Sequence, residues 1–281
     1  MDAREAERRD MILRRWSVTL LAALVALLTI APLLWMVSVS LMARGEAAQF
    51  PPPLWPASPT LENYRELFGN FGVGRFLFNS ILVSTLATAL ALLFTIPAGY
   101  AFAKLRFKGR DAIFRMLIAA LVVPGQIGML PLFLELKAMG LVNSYAGALV
   151  PWLAGIFGIF LVRQYCLSIP DEMLEAARID GATETQILRR IVLPILTPII
   201  VTLALYVFLS SWNDFMWPLI ILADQQLYTL PVALAANSRQ NVQDYEIMMA
   251  GAVVTTLPVL ILFLALQRYY LSGLLTGSVK G

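Results

Sequence analysis

Six long stretches without a charged residue constrain this chain more than any other feature. They contain between 19 and 28 residues, and a helix needs roughly 20 residues to cross a hydrocarbon core about 30 Å thick. The uncharged stretches are 16–43, 76–103, 116–134, 138–162, 191–213 and 247–267. A membrane barrel would instead show segments of about 10 residues with alternating polarity. The pattern therefore predicts an all-α, polytopic membrane protein with six transmembrane helices.

The overall composition excludes a water-soluble globular domain. Of the residues, 59% are hydrophobic and 14% are charged, whereas a soluble domain carries about 25% charged residues. The first stretch follows a basic segment but far exceeds the apolar core of a signal peptide, so we expect a retained span. Because the chain has one cysteine, Cys166, and no histidine, it lacks an internal disulfide and the commonest metal ligand. We expect no cofactor in the chain itself.

The distribution of basic residues predicts the orientation. With six spans, one side of the membrane receives 16 Lys and Arg residues and the other receives 5, so the positive-inside rule places both termini in the cytoplasm. We expect a cytoplasmic tail over 1–15 and a transmembrane domain over 16–281. The predicted spans cover about 16–43, 76–103, 116–134, 144–165, 199–222 and 247–267.

The predicted cytoplasmic loop at 168–198 carries unusually clear helix signals. Ser168 is expected to cap a first helix, and Gly181 is a natural C-terminal stop. Thr183 followed by Gln186 forms a capping box, so a second helix is expected to start at once. The prediction is a helix, a turn at the glycine and another helix at the membrane surface.

The first of these helices has features of a docking element. Its small residues would let a partner's backbone approach closely, and a short helix with an apolar strip suits a groove in another protein. An interfacial helix resting on lipid head groups is the alternative. The residues expected on or near one face are Ile169, Met173, Ala176, Ala177 and Asp180.

One segment of this loop resembles a known family. Glu175-Ala176-Ala177, Gly181 four residues later, and Ile191-x-Leu193-Pro194 resemble the EAA loop of ATP-binding-cassette (ABC) importer permeases. The resemblance implies a coupling helix that sits in a cleft of a separate ATPase. The chain has no phosphate-binding loop of the Gly-x-x-x-x-Gly-Lys-Ser/Thr type, so ATP and Mg²⁺ are expected on partner subunits. The residues that the resemblance assigns to ATPase coupling are Glu175, Ala176, Ala177, Asp180, Gly181, Ala182, Leu193 and Pro194.

Two further stretches resemble one branch of that family. Segments 211–219 and 275–281 are similar to carbohydrate permeases of the maltose type, specifically the shorter of two partner subunits. This resemblance implies three partners: a second, non-identical permease, a homodimer of ABC ATPases, and an extracytoplasmic sugar-binding protein. It also implies that a C-terminal tail with Ser278 and Lys280 reaches the ATPase interface.

The span-five segment offers groups that suit a sugar. Asn213 and Asp214 supply polar atoms, and three neighbouring aromatic residues supply flat apolar faces. Asp214 is expected inside the span and to face a wet cavity, as intramembrane carboxylates usually do; an interfacial aromatic belt is the alternative. Asn79 and Gln126 would line the path or bond between helices. The predicted path residues are Trp212, Asn213, Asp214, Phe215, Trp217, Gln126 and Asn79.

Together these patterns predict a non-enzymatic permease subunit of an ATP-driven carbohydrate importer in a bacterial plasma membrane. The expected cargo is a mono-, di- or oligosaccharide, or a derivative such as a glycerol phosphate. An ABC permease for a non-sugar solute is the main alternative. An ion-driven transporter would need a relay of intramembrane charges, whereas Asp214 stands alone among the predicted spans. A membrane enzyme would need clustered histidines or paired carboxylates, which the spans lack.

Overall fold

The computed structural model describes the backbone of residues 3–240 and 244–278 and the side chains of residues 15–236 and 244–267. All regular structure in these residues is helical, which confirms the predicted all-α class. The α-helices are α1 Ala3–Ser40, α2 Glu62–Gly69, α3 Val73–Lys104, α4 Arg110–Ala120, α5 Gly125–Ala138, α6 Tyr145–Leu149, α7 Ile156–Leu167, α8 Asp171–Ile179, α9 Glu184–Ile187, α10 Leu193–Ile195, α11 Thr197–Trp212, α12 Met216–Ile221, α13 Leu230–Gln240 and α14 Tyr245–Ser278.

Three of these helices include apolar segments long enough to cross a membrane. The segments are Arg15–Ser40, Val73–Lys104 and Tyr245–Gln267. Three further pairs of helices are long and apolar enough only when combined, and each pair is bent, by 104°, 43° and 82° in chain order. The described residues thus provide three candidate spans formed by a single helix each, or up to six if each bent pair counts as one.

The predicted third span, 116–134, is not continuous. Helix α4 ends at Ala120, and α5 starts at Gly125 after a break that contains Pro124. Proline lacks an amide hydrogen and pushes the residue before it towards extended backbone. These constraints explain a break at this point, with a bend of 104°.

The predicted fourth span, 144–165, is interrupted as well. Ser144 caps α6 by accepting a hydrogen bond from the Gly147 amide at 3.1 Å. A 3₁₀ turn over Val150–Trp152 follows, and α7 begins only at Ile156. The start of this span agrees with the prediction, but its middle is irregular.

The chain divides into two compact units, the larger of which comprises Val73–Ala236 and Leu257–Gly281. Within it, α3, α7 and α11 approach one another closely because glycines stand at their contacts. A Cβ on Gly99 would lie 2.6 Å from the Cβ of Val162, and one on Gly158 would lie 2.8 Å from Cγ2 of Thr95. Small residues at helix contacts allow close backbone approach in membranes, so these two positions fix the spacing of the bundle.

The smaller unit comprises Met1–Gly72 and Asn237–Thr256. In it, the buried amide of Asn63 donates to the carbonyls of Ser40 and Met42 at 3.0 and 2.8 Å, which ties α2 to the end of α1. Arg44 pairs with Glu66 at 3.0 Å and with Asp244 at 3.2 Å. These contacts order the segment after α1 without a long helix.

Candidate functional site

The first helix of the predicted EAA loop, residues 168–198, is α8, and its start differs from the prediction. Ser168 does not cap α8, because it ends α7 and its hydroxyl donates to the Tyr165 carbonyl at 2.7 Å. Helix α8 begins at Asp171, after Pro170. The fixed φ of proline suits the entry to a helix, so Pro170 takes the position that Ser168 was expected to hold.

The turn after α8 agrees with the prediction. Helix α8 ends at Ile179, and Gly181 follows with φ +83°, a left-handed conformation that glycine adopts without strain. Thr183 and Gln186 then form the capping box: the Gln186 amide donates to Oγ1 of Thr183 at 3.4 Å, and the Thr183 amide donates to Oε1 of Gln186 at 2.8 Å. The predicted helix, glycine turn and helix are confirmed.

The second helix of the loop widens before its proline. Leu188–Val192 forms a π-helical turn in which the Leu193 amide bonds to the Leu188 carbonyl. Pro194 follows at once. Because a proline ring clashes with the carbonyl four residues earlier, a wider turn accommodates it. The Ile-x-Leu-Pro pattern thus marks the widened turn just before the 82° bend into α11.

The inner face of α8 differs in part from the predicted face. Leu174 and Ile169 are buried, and Ala177 packs against the same core. The exposed side carries Met173, Ala176, Asp180 and Ile179, the last 86% exposed. The prediction that Ile169 and Ala177 share one face with Met173, Ala176 and Asp180 was therefore wrong, because Ile169 is buried before the start of α8 and Ala177 packs against the core.

A first polar anchor joins this loop to α3. The Glu184 carboxylate accepts a bond from Nε of Arg178 at 2.7 Å and another from the buried Tyr100 hydroxyl at 2.6 Å. The Arg178 guanidinium holds the pKa of the Glu184 carboxyl below its ordinary value, and the Tyr100 hydroxyl adds to this effect. Glu184 therefore carries its charge at neutral pH, and this charge strengthens both hydrogen bonds.

A second anchor lies at the end of α3. Nζ of Lys104, whose side chain is 6% exposed, donates to the Ile169 carbonyl and to Oδ1 of Asp171, both at 2.6 Å. The bond from Lys104 lowers the pKa of the exposed Asp171 carboxyl. Lys104 thus holds the first turn of α8 against α3.

No local sequence signal predicts these anchors. Tyr100 and Glu184 are 84 positions apart, and Lys104 and Asp171 are 67 apart, so only the packing of α3 against the loop pairs them. The predicted coupling residues surround the anchors without taking part in them. Glu175, Ala176, Asp180, Gly181 and Pro194 are exposed, and Ala177, Ala182 and Leu193 are half-buried.

The span-five segment forms a helix break rather than a helix interior. Helix α11 ends at Trp212, and the Asn213 side chain donates to the Leu209 carbonyl at 2.8 Å. Oδ1 of Asp214 accepts a bond from the Trp217 amide at 3.4 Å, in the first turn of α12. The predicted span over 199–222 is not one continuous helix, because Asn213 and Asp214 lie between α11 and α12. Phe215 is half-buried at this junction.

The two tryptophans of this segment are buried. Trp217 donates from Nε1 to the Gly147 carbonyl at 3.1 Å, and Trp212 stacks on Phe208 with 5.8 Å between ring centroids. An interfacial belt would require exposed rings, so that alternative does not describe them. Both rings stabilise the bundle in this conformation, and their assignment to the path stays a prediction.

The two remaining path candidates differ in environment. The amide of buried Asn79 donates to the Gln226 and Tyr228 carbonyls at 2.8 and 2.9 Å and accepts from the Tyr145 hydroxyl at 2.7 Å. This geometry favours the internal hydrogen bonding that was the alternative for Asn79. Gln126 is exposed in the first turn of α5.

The predicted tail contacts fall outside the described part of the chain: nothing is described of Lys280, and of Ser278 only the backbone, at the end of α14. Residues 15–236 and 244–267 contain no group of three or more Cys, Asp or Glu side chains that could hold a metal ion.

Apolar helices that are broken in mid-segment, as in the three bent pairs here, are found in membrane transport proteins. The family described as "Binding-protein-dependent transport system inner membrane component" matches residues 95–274. The chain belongs to this family of transport permease subunits, whose members are components of a membrane transport system rather than enzymes.

Curated relatives cover nearly the whole chain. The arabinooligosaccharides transport system permease AraQ of Halalkalibacterium halodurans is 36% identical over 98% of this chain and 100% of its own length. The melibiose/raffinose/stachyose import permease MelC of Bacillus subtilis is 33% identical over 94% of this chain and 96% of its own. The lactose transport system permease LacG of Rhizobium radiobacter is 32% identical, covering 92% and 93% respectively.

Solved structures have the same fold. A chain of a bacterial ABC transporter involved in import of the acidic polysaccharide alginate matches with a TM-score of 0.80 and 26% identity, over 94% of this chain and 98% of that one. A chain from the alginate transporter in complex with an alginate pentasaccharide-bound periplasmic protein matches with a TM-score of 0.64 and 18% identity, over 92% and 93%.

Proposed function

We propose that this chain is one of two non-identical permease subunits of an ATP-driven carbohydrate importer, and that it forms half of the translocation pathway. The observation that carries the proposal is the two-sided α8 helix. Its inner face is buried and anchored to α3, whereas Met173, Ala176 and Ile179 are exposed at intervals of three residues. Apolar residues exposed on a short helix suit a groove in a partner protein.

The carbohydrate class is supported by the relatives. Their names include transport of arabinooligosaccharides, of melibiose, raffinose and stachyose, and of lactose. The proposed cargo is therefore a mono-, di- or oligosaccharide or a sugar derivative.

The anchors provide a route for coupling. A partner that moved α8 would pull on α3 through Glu184 and Tyr100 and through Lys104. Helix α3 would in turn move α7, because Gly99 and Val162 leave no space between them. Closely packed elements transmit displacement since they resist deformation, so a push on the loop would reach the broken spans.

The proposed assembly contains four kinds of chain. A homodimer of ABC ATPases would bind ATP and Mg²⁺ and receive α8, a second permease would complete the pathway, and an extracytoplasmic protein would deliver the sugar. The excess of basic residues on one side supports a bacterial plasma-membrane protein with both termini in the cytoplasm. Ser278 and Lys280 would extend towards the ATPase interface. The proposed ATPase contacts are Glu175, Ala176, Ala177, Asp180, Gly181, Ala182, Leu193 and Pro194.

Reconstitution tests this proposal. The complex purified from its native membrane in mild detergent should contain an ATPase and a second permease. In proteoliposomes with the binding protein, it should take up labelled arabinotriose, raffinose or lactose only when ATP is present. Isolation as a lone homodimer, or uptake driven by an ion gradient without ATP, would contradict the assignment.

A further inference from the structure

A cavity of about 380 Å³ lies in the larger unit, where two helix breaks meet. Val123 lines it from the break before α5, and Gly155 lines it from the break before α7. Thr95 of α3 and Tyr206 of α11 also line it. Its volume falls within the range of about 300–1,000 Å³ that is usual for small-molecule sites. None of the sequence-predicted path residues lines this cavity.

The Thr95 hydroxyl has no hydrogen-bond partner among the described side chains. The residue is 1% exposed, and within residues 15–236 and 244–267 its hydroxyl forms no hydrogen bond. Thr88, two turns earlier on the same helix, instead bonds to the Ser84 carbonyl at 2.7 Å. A buried hydroxyl without a hydrogen bond is costly. Because Thr95 lines the cavity, a polar occupant would satisfy it.

Aromatic rings form much of the remaining wall. The rings of Phe157 and Tyr206 lie 5.1 Å apart at an interplanar angle of 52°, and Trp152 contributes a third ring. Neither the Tyr206 hydroxyl nor the Trp152 indole nitrogen forms a hydrogen bond in the described side chains. The residues of the wall therefore combine apolar faces with three hydrogen-bonding groups that have no partner among the described side chains.

Two occupants suit apolar walls, and the polar groups distinguish them. A lipid chain would cover the rings but leave the Thr95 hydroxyl unsatisfied in hydrocarbon, which is unfavourable. A sugar has C–H faces that lie flat on aromatic rings and hydroxyls that bond to the polar groups. Of these two occupants, only a sugar matches both the aromatic faces and the hydrogen-bonding groups.

We propose that this cavity is a carbohydrate subsite in which one sugar ring lies against Tyr206 and Phe157 and a sugar hydroxyl bonds to Thr95. The proposal rests on the carbohydrate function proposed above and assigns part of the substrate path to this subunit. The helix breaks contribute by opening space between α3, α7 and α11.

Sugar selectivity provides the first test. In the reconstituted full complex, Thr95→Val keeps the side-chain shape but removes the hydroxyl, and Tyr206→Leu removes the ring. Each should change the ratio of uptake rates among arabinotriose, raffinose and lactose by about three- to tenfold, the range expected for one lost hydrogen bond. A ratio does not depend on the amount of assembled complex. Thr88→Val is the matched control and should leave the ratio unchanged.

Thiol labelling provides the second test. In a Cys166→Ala background, Tyr206→Cys should react with a hydrophilic thiol reagent, and the transported sugar should slow this reaction. Phe94→Cys, at an exposed position of α3 away from the cavity, should gain no protection. A thiol at position 206 that resists the reagent would indicate a lipid-filled cavity and overturn the subsite.

The outcomes separate the subsite from the function. If the wild-type complex imports a sugar but Thr95→Val and Tyr206→Leu keep its uptake ratios, the subsite is wrong and the function stands. If the wild type imports none of the three sugars, the carbohydrate assignment fails and the subsite fails with it.

Discussion

The loop over residues 168–198 and the cavity between the helix breaks differ in whether their polar side chains are hydrogen-bonded. At the loop, Glu184 accepts hydrogen bonds from two residues, Arg178 and Tyr100, and Lys104 donates two. At the cavity, Thr95 and Tyr206 have hydroxyls that are not hydrogen-bonded in the described part of the chain. The two regions share α3 as a common wall.

This difference suits the two regions to the two proposed roles, force transmission at the loop and sugar binding at the cavity. Paired, partly buried groups hold two elements together, because breaking the pair leaves costly unsatisfied atoms. Unpaired groups in a cavity are available to a ligand that comes and goes. We therefore expect substitutions at paired groups to change stability or coupling, and substitutions at the cavity to change sugar selectivity.

Among these predictions, substitution of Asn79 is expected to have the largest effect, a loss of stability at a fully paired polar group. Asn79→Leu should destabilise the complex by about 1–3 kcal/mol for each partner group left unpaired, because Gln226, Tyr228 and Tyr145 all bond to it. Thermal denaturation of the purified complex measures the loss. The control Asn213→Ala, at an exposed site with one bond, should cost much less. A change in sugar selectivity with unaltered stability would instead return Asn79 to the path.

Glu184 tests the first anchor. Glu184→Ala leaves Tyr100 and Arg178 without their acceptor, a cost of about 1–3 kcal/mol. Uptake per ATP hydrolysed should fall, whereas the ratio among sugars should stay the same. Glu172→Ala, an exposed substitution in the same loop, serves as the control. Equal coupling in both variants would show that the anchor does not transmit force.

Gly181 tests the turn. The chain leaves open space around a Cβ at this position, but φ is +83°, so Gly181→Val mainly adds backbone strain of about 1–2 kcal/mol. A cost of this size corresponds to roughly a tenfold smaller population of complexes in which the turn has its native conformation. Gly181→Asn should cost less because asparagine tolerates left-handed backbone. Coupling in both variants is measured as sugar-stimulated ATPase activity. Full coupling in Gly181→Val would show that the conformation of this turn is not needed for coupling.

Tyr100 offers the smallest effect. Tyr100→Phe removes one hydrogen bond to Glu184 but leaves the Arg178 pair, so we expect a loss of about 0.5–1.5 kcal/mol. Coupling should fall slightly, by less than in Glu184→Ala. A loss as large as that of Glu184→Ala would mean that Arg178 contributes little to the anchor.

Local features of the fold could be predicted from local residues. The left-handed turn at Gly181 and the capping box of Thr183 and Gln186 were both correct, since each depends on atoms a few positions apart. The start of α8 was missed because Ser168 and Pro170 are both plausible entry residues, and the choice depends on where α7 ends. The helix breaks within the predicted spans were not predicted, because the length of an uncharged stretch is the same whether or not its helix is continuous.

Hydrophobic runs and the distribution of basic residues were enough to predict a helical membrane protein and its orientation, because partition into lipid depends on composition. The prediction of a permease came from the resemblance of the loop motif to a known family. The anchors and the cavity depend on tertiary packing. Tyr100 bonds to Glu184 only after α3 has packed against the loop. Thr95 and the break before α7 line one cavity only after α3 and α7 have packed at their glycines. No pattern along the chain encodes contacts between residues so far apart, so only the folded structure shows which of the described polar groups are paired and which are not.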